Sequence, residues 1–226
     1  MKSNWIFLSY PLKSEYSSYG NGQRILVEKT RKIDKGDNSN YSIINIPSHF
    51  GTHIDFPYHF AIEGKKCLDY SAHSFIFEAV QIVEINLLEK NDLIISSNNF
   101  QGVKFLNPSS FLIIKTGYCQ IRSQPEYWNN NPGFSPELAL FLKSKMPSLL
   151  AVGFDSISLS SWKNRELGRE AHKEFLVNNN LLIIEDMDLN NISKSTKINQ
   201  IVCSPLRFDN SDGSPVTIFA KTIDEN

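Results

Sequence analysis

Residues 48–60 constrain this chain more than any other stretch: Ser48-His49-Phe50-Gly51-Thr52-His53-Ile54-Asp55-Phe56-Pro57-Tyr58-His59-Phe60. Three of the five histidines and one aspartate fall between His49 and His59. A spacing of four would put His49 and His53 on one face of a helix. Gly51, the β-branched Thr52 and Ile54, and Pro57 argue against a helix. In an extended segment His53 and Asp55 point the same way, because side chains alternate with period two. A bend at Gly51 brings His49 alongside them. The result is a compact set of two nitrogens and one oxygen, which suits a divalent transition metal such as zinc or manganese. The same triad also matches non-haem iron, although nothing else in the chain supports oxygen chemistry. His59, beyond Pro57, is either a further ligand or a free imidazole placed for proton transfer near neutral pH. Burying so many polar groups without a shared partner would be costly.

The rest of the chain reads as an α/β fold. Apolar, β-branched runs predict strands at Trp5–Ser9, Arg24–Glu28, Ser42–Ile46, Ala79–Ile85, Phe111–Lys115, Leu149–Gly153, Leu181–Ile184, Gln200–Cys203 and Val216–Ala220. Several do not alternate cleanly, which predicts burial on both faces. Ser135-Pro136 opens one helix, with Leu138, Phe141 and Leu142 as its apolar stripe. Arg165 to Leu176 forms a second, stopped by Asn178–Asn180. With 226 residues, 41% of them hydrophobic, one domain spanning residues 1–226 can bury an adequate core.

Charge and composition exclude several classes of function. With 23 Lys+Arg against 24 Asp+Glu the net charge is −1, so no basic footprint for nucleic acid is expected. No apolar run approaches the ~18 residues of a membrane helix, and no signal-peptide core opens the chain. Cys67, Cys119 and Cys203 are isolated and odd in number, which predicts idle thiols in a reducing cytoplasm. Asp155, at a strand's carboxyl end, is either a functional carboxylate or a turn cap. Trp5, Tyr10, Tyr16, Tyr19 and Phe56 either line an aromatic pocket or pack. His73 has no partner in the motif.

The His49–His59 segment resembles the HxGTHxDxPxH signature of the cyclase-like metal-dependent hydrolases. This group includes bacterial-type kynurenine formamidase (arylformamidase) and isatin hydrolase. Seven of the eleven positions are fixed, so the match is specific. Tyr10-Pro11-Leu12, Ile114–Tyr118, Asn131–Ser135, Val152–Ser158, His172, Ile184-Glu185-Asp186 and Asp212–Val216 resemble further family segments. The resemblance therefore covers nearly the whole chain. It implies a swivelling β/β/α fold with a mixed central sheet and flanking helices, and a homodimer or larger homo-oligomer. It also implies that His49, His53 and Asp55 are ligands of a first divalent metal, zinc or manganese. His172 and Glu185, with Asp55 bridging, match the holders of a second ion, and His59 matches the catalytic histidine. The implied reaction on a small-molecule substrate is hydrolysis of an amide, formamide or lactam C–N bond by metal-activated water. Lactone hydrolysis, dehydration or cyclisation at the same site, or silent small-molecule binding, are the alternatives. The chain departs from the family pattern at Tyr16–Gly22, Phe56, Tyr118 and Ser160, where the family carries other residues. These departures bear on the substrate more than on the chemistry.

Overall fold

The computed structural model describes residues 3–16, 18–90 and 93–223. Its centre is a mixed sheet in which nine strands take part. Four run parallel: β6 (Val80–Glu84), β8 (Phe111–Lys115), β10 (Ala151–Phe154) and β11 (Leu182–Glu185). The short β4 (His53–Asp55) lies antiparallel to β11 on one side. On its other side it pairs with the start of the eleven-residue β13 (Gly213–Ile223). β13 continues beside β12 (Ile198–Pro205) and β1 (Ser3–Phe7), and β12 is flanked by β5 (Ile76–Glu78).

The two ends of this sheet, β5 and β6, are neighbours in the chain, joined through Ala79 at a positive φ of 52°. The sheet therefore curls until it nearly closes, which leaves few free edges. Two short ladders stand apart: β2 (Leu26–Arg31) with β3 (Tyr41–Asn45), and β7 (Ile94–Ile95) with β9 (Gly133–Phe134).

The unalternating apolar runs are explained by two cores, one on each face. Phe111, Ile113, Ala151, Leu182 and Ile184 face a core shared with Ile54, Phe77, Ile201 and Ile218. Leu112, Ile114, Val152, Phe154 and Ile183 face the opposite way, against the helices. Those helices are α1 (Glu126–Asn129), α2 (Glu137–Lys145) and α3 (Arg165–His172). Leu138, Leu142, Ala171, Phe175 and Leu176 fill this second core.

Local chemistry sets the helix ends. Glu137 in the first turn of α2 and Lys143 and Lys145 in its last complement the helix dipole. Asn164 caps α3 by accepting from the Leu167 N–H at 3.3 Å. After His172 the chain continues as a π-helical segment, Lys173–Asn178.

All nine predicted strands and both predicted helices are present, shifted by up to a few residues at their ends. The fold is the α/β class expected from the sequence. Four strands of two or three residues, β4, β5, β7 and β9, are too short to show a periodic signal. Among the described residues, no helix is long and apolar enough to cross a membrane.

Candidate metal centre

Strand pairing assembles the site. In β4, Ile54 points into the inner core, so His53 and Asp55 project from the other face, toward α3. The antiparallel register sets Glu185 of β11 directly opposite His53, and Ile183 opposite Asp55. His172, in the last turn of α3, reaches down onto this face. The His53 Nε2 lies 3.2 Å from Glu185 Oε2 and 3.4 Å from Asp55 Oδ1. His172 Nε2 lies 3.5 Å from Asp55 Oδ2 and 3.4 Å from Glu185 Oε1.

The flanks of β4 bring in two more imidazoles. Gly51 adopts a positive φ of 66°, the bend expected before His53, and its carbonyl accepts from His53 Nδ1 at 2.8 Å. This bend sets His49 Nδ1 2.8 Å from Asp55 Oδ1. His59 ends the 3₁₀ turn opened by Pro57, and its ring packs 4.0 Å, centroid to centroid, from that of His49. Asp212, immediately before β13, holds both rings: its Oδ2 lies 2.9 Å from His49 Nε2 and 3.0 Å from His59 Nδ1. A Cβ at Gly213 would fall 2.3 Å from the His49 ring, so only glycine allows this approach.

Hydrogen bonding fixes the tautomers. His53 and His172 each commit Nδ1–H to a backbone carbonyl, Gly51 and Gly168, both at 2.8 Å. Neutral, each ring then turns the lone pair of its Nε2 toward carboxylate oxygens. Lone pairs facing lone pairs in a buried site repel unless a cation lies between them. These donors fit a divalent metal. Two groups of ligand atoms cluster within 4.8 Å, His49–Asp55–His59 and His53–Asp55–Glu185, with Asp55 common to both. Nitrogen and oxygen donors of this kind suit zinc or manganese. Leu159 N–H, donating to Glu185 Oε1 at 2.7 Å, orients that carboxylate from behind.

Without a metal, protons take its place. Burial pushes the imidazoles down, but the opposing carboxylates outweigh it. His49, beside Asp55 and Asp212, is raised to about 10. His172, hydrogen-bonded to Asp55 and Glu185, is raised to about 9, and His53 is raised by Glu185 and Asp55. Burial pushes Asp55 up, yet His49, His172 and His53 hold it well below the carboxylate range. Burial likewise opposes the lowering of Asp212 by its hydrogen bonds to His49 and His59. For Glu185, burial and the Asp55 charge push up, and His172 and His53 prevail.

A cavity of about 290 Å³ opens over this centre, and all six residues singled out from the sequence line it. The other sequence candidates lie elsewhere. Asp155 is buried and accepts from the backbone N–H groups of Thr116, Gly117 and Cys119, so it caps that turn. Of the five candidate pocket aromatics only Tyr19 lines the cavity. Trp5 is exposed and Phe56 is in the inner core. Tyr10 and Tyr16 each lie 4.0 Å from the Arg122 guanidinium. His73 is exposed and outside the cavity. The three cysteines are free and buried.

Sequence reasoning assigned no role to Asp212, which is 163 residues from His49. The Asp212–Val216 segment was its only signal. Phe60 was also missed; its ring stacks on His172 at 4.6 Å and forms a cavity wall.

A curled mixed sheet thus carries, on its outer face, a centre of His, Asp and Glu donors that could hold a divalent metal. Residues 6–161 match the family model for Cyclase, described as putative cyclase, and the chain belongs to that family. It is 26% identical to a kynurenine formamidase of Bacillus cereus over 224 residues, covering 98% of this chain and 99% of the relative. A kynurenine formamidase of Bacillus anthracis is 25% identical over 224 residues, with the same coverage. In fold it resembles isatin hydrolase A from Labrenzia aggregata, with a TM-score of 0.82, 17% identity, and 97% and 93% of the two chains covered. It also resembles a predicted metal-dependent hydrolase from Bacillus stearothermophilus, with a TM-score of 0.76, 17% identity, and 98% and 99% covered.

Proposed function

We propose that this protein hydrolyses a small amide, formamide or lactam C–N bond, as an arylformamidase does. The observation that carries this reading is the pair of Nε2 atoms of His53 and His172, turned onto Asp55 and Glu185 with both Nδ1 atoms already committed. A divalent cation in that place, zinc or manganese, supplies Lewis acidity that polarises a carbonyl and brings water's pKa near 7. His49, His53 and Asp55 would hold one ion. His172, Glu185 and Asp55 would hold a second.

His59 does the proton work. Asp212 accepts its Nδ1–H, so the Nε2 lone pair is free to take a proton from water and return it to the departing nitrogen. An amide nitrogen needs that proton, because an amide anion is a very poor leaving group. Phe60, Ile157 and Tyr19 wall the cavity and limit its water. The kynurenine formamidases among the relatives support a formamide substrate over a lactone. The test is elemental analysis of purified protein combined with a spectrophotometric assay on N-formylkynurenine and a lactone panel. No stoichiometric divalent ion, or no turnover of any C–N substrate, overturns the reading.

Two further properties belong to this proposal. The β2–β3 ladder exposes Leu26, Val27, Tyr41, Ile43 and Ile44, and an isolated two-stranded ladder is marginal in water. A second copy of the chain covering it gives a homodimer, which sedimentation equilibrium would detect. Three buried free thiols suit the reducing cytoplasm.

A further inference from the structure

One wall of the cavity is cationic. α3, which carries His172, also carries Arg169 and Arg165, three and seven residues before it, and both line the cavity. Their spacing of four stacks the two guanidiniums on one helix face, where like charges repel. Among the described residues neither forms an ion pair with a carboxylate. The acids of the cavity floor, Asp55 and Glu185, are taken up by imidazoles. Arg165 is held in place: its guanidinium lies 5.1 Å from the Trp162 ring, which packs 5.2 Å from Tyr19. Arg165 also hydrogen-bonds the Tyr19 side chain. Two guanidiniums that line a pocket with no carboxylate paired to either are suited to receive a carboxylate or similar anion.

The helix also sets the distance. With a rise of about 1.5 Å per residue, Arg169 and Arg165 stand roughly 4.5 and 10 Å along the axis from His172. That interval is the breadth of an aromatic ring and its substituent. Phe60, flat against His172, and Ile157 supply the apolar walls such a ring needs.

We propose that Arg165 and Arg169 form an anion subsite that selects flat amides bearing a carboxylate remote from the scissile bond. The proposal rests on the hydrolase reading above. It is tested by equilibrium binding of two ligands that differ by one carboxylate, 4-formamidobenzoate and formanilide. The protein used is the full-length zinc-loaded chain carrying H59A to suppress turnover. The carboxylate ligand should bind about tenfold more tightly. In R165Q/R169Q on the same background that gap should fall below twofold, with formanilide affinity unchanged. Both arginines are exposed, so these substitutions leave the fold intact. Equal affinities, no binding of either ligand, or a gap that survives the double substitution would each overturn the subsite. The last outcome would place the carboxylate on the metal. Failure of the hydrolase reading shows separately, as absent turnover of both compounds by the unsubstituted protein while the binding gap persists.

Discussion

Asp212 Oδ2 lies 3.0 Å from His59 Nδ1 and so fixes which nitrogen of that imidazole is free. The same oxygen lies 2.9 Å from His49 Nε2, so one carboxylate aligns a candidate base with a candidate ligand. Replacing Asp212 with Asn keeps its shape but removes the carboxylate that orients the two imidazoles. We expect D212N to retain bound metal and lose about 10- to 100-fold in kcat/KM, the usual cost of losing a group that orients a site histidine. Steady-state kinetics with metal analysis on the same preparations checks this.

His59 stands close enough to His49 and Asp55 to be a third ligand, so its role must be separated from theirs. As a proton carrier, H59A should keep its metal and lose about 10²- to 10⁴-fold in kcat. H53A, D55A and E185Q should lose metal and activity together, because each removes a donor that faces the others. Measured metal-to-protein ratios for the four variants distinguish the two roles. Loss of metal in H59A would make it a ligand.

Metal-free protein should have a particular pH dependence. His49 and His172 are raised to about 10 and about 9, so the folded state holds protons that the unfolded chain releases near 6.5. Their stabilisation is complete below about pH 6.5 and fades as pH rises toward 9 to 10. Asp55 and Asp212 are lowered, so their contribution is complete above about pH 4 and fades as pH falls. Thermal unfolding in chelator should therefore peak between about pH 4.5 and 6.5. Zinc should then raise the melting temperature most at higher pH, with protons released on binding. A Tm that rises steadily to pH 9 in chelator would contradict these pKa directions.

Glu185 is followed by Asp186 at a positive φ of 53°, an uncommon backbone state for aspartate. Asp186 is held there by a bidentate pair with Arg122 and by the Tyr127 hydroxyl. Both charges are buried, and Tyr10 and Tyr16 flank the guanidinium. D186A leaves that guanidinium unpaired and should cost about 3–5 kcal/mol. Denaturant titration measures the loss. A decrease under 1 kcal/mol would mean that the pair is dispensable for the fold.

The sequence by itself determined the long strands, the two helices and the crowding of His49, His53, Asp55 and His59 into one cluster of potential donors. These signals are local: strand and helix periodicity, turn residues, and polar groups crowded into eleven positions. Asp155 shows where local signals stop. A carboxylate after a strand reads equally as a functional group or a cap, and only the positions of the Thr116–Cys119 backbone donors decide. The joining of His172 and Glu185 to Asp55 followed from family resemblance, and periodicity alone could not have supplied it. Only the tertiary structure brought in Asp212 and turned Tyr10 and Tyr16 to Arg122 instead of the cavity. It also set Arg165 and Arg169 on the cavity wall. Each of these depends on strand register or helix placement between segments far apart in the chain. Register is decided by which faces the two cores can bury together.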